Sequence, residues 1–246
     1  MSAPAPTTAR VLASARFEAT TVLRNGEQLL VSIVLPLMAL VLLTYAPYPV
    51  LDTPRIDVVT PGVLALAVVS TAFTGQAIST GFDRRYGVLR LLGVSPLGRG
   101  GLLAGKAIAV LAVLTIQVLI LGVAALALGW RPDPVGLVPL AISLVLGALC
   151  FVALALLLAG ALRAEAVLAA ANLLWVVFLG LGLLLPTSTL PATVATVAAW
   201  VPSGLLGDAA RTAAIEGGWP LVSWAVLLLW TAVAGAVARR VFRWSD

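Results

Sequence analysis

Histidine is absent from the 246 residues and cysteine occurs once. The first absence removes His metal ligands, Ser-His and Cys-His catalytic pairs and imidazole proton relays. The second excludes an intrachain disulfide, and Cys150, inside an apolar run, reads as a small buried residue. Charge is scarce as well: Asp, Glu, Lys and Arg make up 10% of the chain, against roughly 25% in a soluble domain. So little charge cannot coat a water-facing surface, and the bilayer must be the solvent for most of the chain. No phosphate-binding loop is present: nothing matches G-x-x-x-x-G-K-[ST], and the Gly105-Lys106 pair is followed by Ala107. A chain that drives transport without such a loop takes its energy from another chain. Within the apolar runs ionisable residues are nearly missing. This argues against proton- or ion-coupled transport and against an intramembrane hydrolase, which needs an acid/base pair.

Apolar residues are abundant, 61% of the total, and they are gathered into runs. Those over 29–45, 61–80, 102–128, 135–162, 166–185 and 220–238 predict six transmembrane helices, a span needing about 20 residues. The run at 190–201 is too short to cross. It is expected to form a re-entrant or interfacial helix within a 186–218 segment broken by Pro191, Pro202 and Gly204. Ahead of the first run, residues 7–24 predict an amphipathic helix lying in the membrane interface. At 100° per residue Val11, Leu12, Ala15, Ala19, Val22 and Leu23 share one face, with Arg10, Ser14, Glu18, Thr21 and Arg24 opposite; Phe17 breaks the pattern. The charged stretch before the first run argues against a cleaved signal peptide. The fold class is thus an all-α integral membrane protein, a single domain over 1–246.

Twelve of the fifteen Lys and Arg residues fall in the N-terminal segment, in 83–106, in the 163–165 loop and in the C-terminal tail; Arg55, Arg131 and Arg211 occupy the alternate loops. By the positive-inside rule both termini are expected in the cytoplasm and 186–218 outside. The net charge of +5 is therefore a topology signal, not a nucleic-acid surface. Lys106, near the start of the third span, is expected to snorkel to the interface. Trp130, in the 129–134 turn, is expected to anchor at headgroup level. Uncharged polar residues occur within spans: Ser70, Thr71, Thr74, Gln76 and Ser79 in the second, Thr115 and Gln117 in the third, Asn172 in the fifth. They serve either interhelical hydrogen bonding or a substrate pathway, and the residues leave both open. Gly101 and Gly105 make a G-x-x-x-G pair, a weak signal in a Gly-rich chain.

The most informative stretch lies between the second and third spans, over 83–101: Asp83-Arg-Arg-Tyr-Gly-Val-Leu-Arg-Leu-Leu-Gly-Val-Ser-Pro-Leu97, followed by Gly105-Lys106. It is basic and amphipathic, and Pro96 disfavours helix at Ser95. Taken alone it is compatible with an ordinary basic loop. Its pattern resembles the coupling region of the membrane (permease) subunits of type-2 ABC exporters. In that family an acidic residue precedes a Gly-Thr-Leu-like step, then Leu-Leu, a Ser/Thr-Pro and a Gly-Lys. Asp83, Gly87, Leu89, Leu91, Leu92, Ser95, Pro96, Gly105 and Lys106 fall into those places, with Asp83 where Glu is usual and Val88 where Thr or Ser is usual. The helix over 7–24 followed by Arg24-Asn25-Gly26 resembles the family's interfacial connecting helix. Pro202, Leu206 and Arg211 resemble its Pro-x-x-x-Leu…Arg element.

The resemblance implies a permease subunit that pairs with a second permease chain, the same or related, in the cytoplasmic membrane. Separate cytoplasmic ABC ATPase subunits would carry the ATP and Mg, and this chain would bind no cofactor and catalyse nothing. Arg84, Arg85, Tyr86, Leu89, Arg90 and Leu92 would meet the ATPase. The apolar interior suits export of a hydrophobic or amphipathic substrate: a drug, a lipid or a lipid-linked molecule. Alternatives are a non-transporting scaffold, a haem-handling permease of similar architecture, and a membrane enzyme using Asp52, Asp57, Asp208 and Glu216.

Overall fold

The computed structural model describes residues 5–48, 53–93 and 95–241, with the side chains of residues 27, 92, 93 and 99 outside that description. Ten helices organise them. The amphipathic segment is α1 (Thr7–Arg24). The first apolar helix is α2 (Leu30–Tyr45), continued backwards by the helical turn Gly26–Leu29; at 1.5 Å per residue the two together reach about 30 Å, a bilayer's thickness. Five further helices are long and apolar enough to cross a membrane: α3 (Arg55–Arg85), α5 (Gly98–Ala127), α6 (Leu137–Ala161), α7 (Ala164–Leu183) and α10 (Leu221–Val241). Between them lie the short α4 (Val88–Gly93), α8 (Ala192–Ala198) and α9 (Pro202–Glu216). The protein is an all-α multi-pass membrane bundle.

The central helix is α3. Residues 58–74 are buried without interruption, which is why this stretch reads as a continuous run and not an amphipathic stripe. It starts six residues before the apolar run and extends five beyond it, so Asp83, Arg84 and Arg85 are its last turn and not a separate loop. Phe73 on α3, Phe151 on α6 and Phe178 on α7 meet edge-on, with centroids 5.3–6.1 Å apart, the geometry favoured by the aromatic quadrupole. Uncharged polar side chains tie the same helices. Thr71 and Gln117 exchange hydrogen bonds of 2.8 and 3.0 Å between α3 and α5. Trp175 Nε1 donates to Ser70 Oγ at 3.0 Å and Trp224 Nε1 to Ser143 Oγ at 2.8 Å. Such bonds hold helices together where no water competes.

Three expectations change. The apolar stripe of α1 is only partly covered: Ala15 and Val22 are buried where α1 crosses α5, while Leu12 is 60% exposed. Phe17, the residue that broke the pattern, faces outward at 72% exposure. Gly105 allows the crossing, since a Cβ there would stand 2.8 Å from Ser14 Oγ. Trp130 is 5% exposed and part of the core, its ring folded back by the Gly129 turn (φ +102°), whereas Trp200 and Trp219 are the exposed indoles at that end. The 186–218 segment holds two helices. Of these α9 is buried along nearly its whole length against α3, α6 and the end of α7. Gly204 and Gly207 face backbone carbonyls there so closely that a Cβ would lie 2.1 Å from Ala198 O and 2.4 Å from Gly182 O. Residues 242–246 of the basic tail fall outside the described residues.

Candidate coupling region and polar cleft

The basic residues of α1, the ends of α3 and α6, and the starts of α5 and α7 come together at one end of the bundle, termed here the basic end. Its centre is Lys106. The side chain is fully buried, with Nζ 2.7 Å from Glu18 Oε1 on α1 and 3.0 Å from Asp83 Oδ2 on α3. It does not snorkel: two carboxylates from two other helices replace the water its ammonium would otherwise seek. Arg10 donates to the Pro96 carbonyl, so α1 also braces the turn before α5.

The motif residues thereby acquire physical roles. Asp83 and Lys106 are ion partners. Gly87, at φ +73°, reverses the chain after α3 in a conformation closed to most side chains. Ser95 Oγ accepts from Leu97 N at 3.3 Å and Ser95 O from Gly98 N at 3.1 Å, making the turn that Pro96 demands. Gly105 lets α1 approach. The product is a short helix, α4, set at the basic end between the Gly87 turn and the Ser95-Pro96 turn and packed on α3 and α5.

The residues expected to meet a partner divide into two groups. Arg84 turns inward: it is buried and donates to Ala159 O at 2.6 Å and to Leu162 O, satisfying carbonyls that the end of α6 leaves without helical partners. Leu89 is also buried, 1% exposed. These two are corrections, because neither is available to a partner. Arg85, paired with Glu165, together with Tyr86 and Arg90, lies on the exposed side. The Leu92 side chain lies outside the described residues. Leu91, not among the expected contacts, is 71% exposed, as is Tyr86, whose ring stacks on Phe82. A helical wheel separates Leu89 from Leu91 by about 200°, so one of the two had to face out. Glu18 was missed as a partner because nothing local links it to residue 106.

Of the candidate pathway residues, Thr71 and Gln117 satisfy each other. Thr115 donates to its own Leu111 carbonyl and borders a largely apolar groove between α5 and α6. Gln76 is buried, its Oε1 without a partner among the described residues. Thr74 and Asn172 instead line an open cleft of about 340 Å³ between the Asn25–Ser32 stretch, the second half of α3 and the first half of α7.

At the opposite end a second buried cation closes the bundle. Arg211 on α9 donates to the carbonyls of Gly182 (2.6 Å), Leu183 (3.2 Å) and Leu185 (2.9 Å) and pairs with Asp208 at 2.9 Å. These carbonyls are exposed because α7 breaks at Leu181 and Gly182. Burial pulls the Arg211 pKa below the ordinary arginine value, while the Asp208 carboxylate pushes it back up. Of the carboxylates of the membrane-enzyme alternative, Asp208 is engaged here, Asp57 lies in the first turn of α3, Glu216 is exposed at the end of α9 and Asp52 falls outside the described residues.

A helical bundle with its charges gathered at its ends, a short motif-built helix at one of them and a polar cleft beside it is the architecture of a multi-pass membrane protein. Residues 10–214 match the family ABC-2 type transporter. The chain belongs to this family and is a transmembrane subunit of an ABC transporter. A comparison with curated proteins finds no match.

Proposed function

We propose that the chain is the membrane half of an ATP-driven exporter and that a separate ABC ATPase, carrying the ATP and Mg, docks on the exposed edge formed by Arg85, Tyr86, Arg90 and Leu91. The basic end then lies in the cytoplasm of the cell membrane, in keeping with the distribution of Lys and Arg, and a second permease chain completes the pathway. The observation that carries this reading is α4 itself. It turns Leu91 and Arg90 to the outside beside the exposed Tyr86, while Leu89 is buried and the helix packs on α3 and α5. A push on α4 is passed to α1, α3 and α5 together, as a rigid-body bias between two arrangements. The substrate is a hydrophobic or amphipathic molecule that enters the pathway from the bilayer.

The test is affinity purification of the tagged, detergent-solubilised protein from its native membrane. An ATPase subunit copurifies with the unaltered chain and is lost with Tyr86→Glu or Leu91→Glu, while an equally exposed membrane-facing change, Leu119→Ala, leaves it bound. Absence of an ATPase, or retention by both variants, sinks the proposal.

A further inference from the structure

A narrow apolar groove runs between α5 and α6, on a side of the bundle that shares only α3 with the polar cleft. The two helices are consecutive in the chain, yet they separate: α5 packs mainly on α1 and α3, and α6 on α10, α9 and α3. Val68 of α3 lines the groove from below, Leu114, Val118 and Leu119 from α5, and Leu144 and Val145 from α6. Thr115 brings the one hydroxyl among the described lining residues, and the Leu111 carbonyl of its own helix satisfies it. The groove thus offers a ligand desolvation and dispersion, and no polar contact. Its volume is about 320 Å³. Spread over the ~12 Å rise from Leu111 to Leu119, that is a cross-section of roughly 27 Å², far below the ~80 Å² of a helix 10 Å across. An extended chain fits along such a groove, whereas a helix would rest on its mouth.

A pair of charges stands above the groove at headgroup height. In the turn after α5, Arg131 Nη1 donates to the carbonyls of Leu126 (3.2 Å) and Trp130 (2.9 Å). On the helical wheel Leu126 falls on the stripe of Leu111, Thr115 and Leu119, within about 80°, so the guanidinium is fixed at the groove's end of α5. The rise from Leu111 to Leu126 is about 22 Å, half of a bilayer that is ~40–45 Å thick with its headgroups. Beyond Trp130 the chain is extended: Trp130 is buried and Pro132 half-buried, while Arg131 and Asp133 between and after them are exposed. Asp133 Oδ1 accepts from Val135 N at 2.9 Å. Neither Arg131 nor Asp133 has an ion partner among the described residues, and they do not pair with each other. A separate cation and anion, side by side, complement a zwitterion.

We propose that groove and turn form a site for one phosphatidylethanolamine molecule. One acyl chain lies between α5 and α6, Arg131 binds the phosphate and Asp133 accepts from the ammonium. Phosphatidylglycerol leaves Asp133 without a partner, and a diacylglycerol leaves both residues without one. The lipid fills the space by which α5 and α6 separate, so it completes the fold and is not cargo. The site is independent of the docking edge at the basic end.

The full-length protein, stripped of lipid in detergent, is titrated with phosphatidylethanolamine, phosphatidylglycerol and diacylglycerol of one chain composition, and native mass spectrometry counts the bound lipid. A single phosphatidylethanolamine is expected to bind at least fivefold more tightly than the other two and to raise the melting temperature. Arg131→Gln, which can still donate to the Leu126 carbonyl, is expected to weaken it about tenfold, the value of one charge-assisted hydrogen bond, and to cancel the thermal gain. Asp133→Asn, which keeps an acceptor for Val135 N, is expected to bring phosphatidylethanolamine down to the phosphatidylglycerol level. Ala141→Phe, which places a ring in the groove from an exposed position, is expected to abolish the tight equivalent. Arg240→Gln, exposed at the other end, leaves binding unaltered, and melting curves without lipid confirm that each variant folds. Phosphatidylglycerol bound as tightly as phosphatidylethanolamine, or phosphatidylethanolamine binding unaltered in both Arg131→Gln and Ala141→Phe, overturns the proposal. So does a copurifying polypeptide that Ala141→Phe releases while lipid binding persists, since the groove then holds a protein segment.

Discussion

Lys106 and Arg211 are both buried cations at opposite ends of one bundle, and they are held differently. Lys106 is gripped by carboxylates on two other helices, so its bonds connect three segments that are independent in the chain. Arg211 is held mainly by backbone carbonyls of a broken helix end, with its one carboxylate three residues away on its own helix. The first arrangement survives only while α1, α3 and α5 keep their relative positions, which suits an end that receives a push. The second caps a fixed local break, and its close glycine contacts leave little room for sliding. The difference places a tie between three helices at the basic end and a local cap on one broken helix at the other.

The largest effect is expected from Lys106→Met. It leaves Glu18 and Asp83 facing each other with no cation between them, a loss of about 3–5 kcal/mol for a broken buried pair, reduced somewhat by the partial exposure of Asp83. Adding Glu18→Gln and Asp83→Asn to the same chain should recover most of the thermal stability and none of the transport. A triple variant as unstable as the single one would show that Lys106 acts through its size and not its charge. Next comes Arg211→Met, expected to cost about 3 kcal/mol by orphaning carbonyls and a carboxylate. Its hallmark is faster hydrogen exchange confined to residues 182–187, with ATPase association intact; an effect that spreads to α4 would erase the contrast between the ends. Gly105→Leu pushes α1 off α5 by its clash with Ser14 and is expected to cost about 1–3 kcal/mol. Cysteine cross-linking between α1 and α5 in the variant measures the separation directly. The smallest change is the pair Thr71→Val with Gln117→Leu. Each alone strands its partner, whereas together they should cost under about 1 kcal/mol, as interhelical hydrogen bonds in membranes average ~0.6, and a double-mutant cycle on melting temperature reads that coupling.

Part of this was legible without coordinates. Apolar runs mark the spans because a bilayer forces every backbone group into helix, and the structure moves their ends by a few residues, chiefly where α3 runs on into its charged last turn. The motif around Asp83 and Lys106 was visible as a pattern, and its glycines and Ser-Pro step announce turns for local steric reasons. What stayed hidden was direction. Arg84 and Arg85 are neighbours in the chain, yet one caps α6 from inside and the other faces out, and only the docking of α3 against α6 chooses between them. Trp130 has the composition of a headgroup anchor, but the Gly129 turn folds it into the core. Phe17 looked like a fault in an amphipathic helix, but α5 packs on a face made of Ser14, Ala15, Glu18 and Val22 and leaves Phe17 outward.

The sequence by itself determined that this protein is a helical membrane bundle and where its long apolar helices lie. Each of these follows from local composition, which the bilayer reads residue by residue. The tertiary structure alone decided that Lys106 is clamped between Glu18 and Asp83, that Tyr86 and Leu91 both face out at the basic end, and that Ser32 and Thr74 border one cleft. Those facts join residues tens of positions apart, and only the packing of helix against helix brings them within hydrogen-bonding reach.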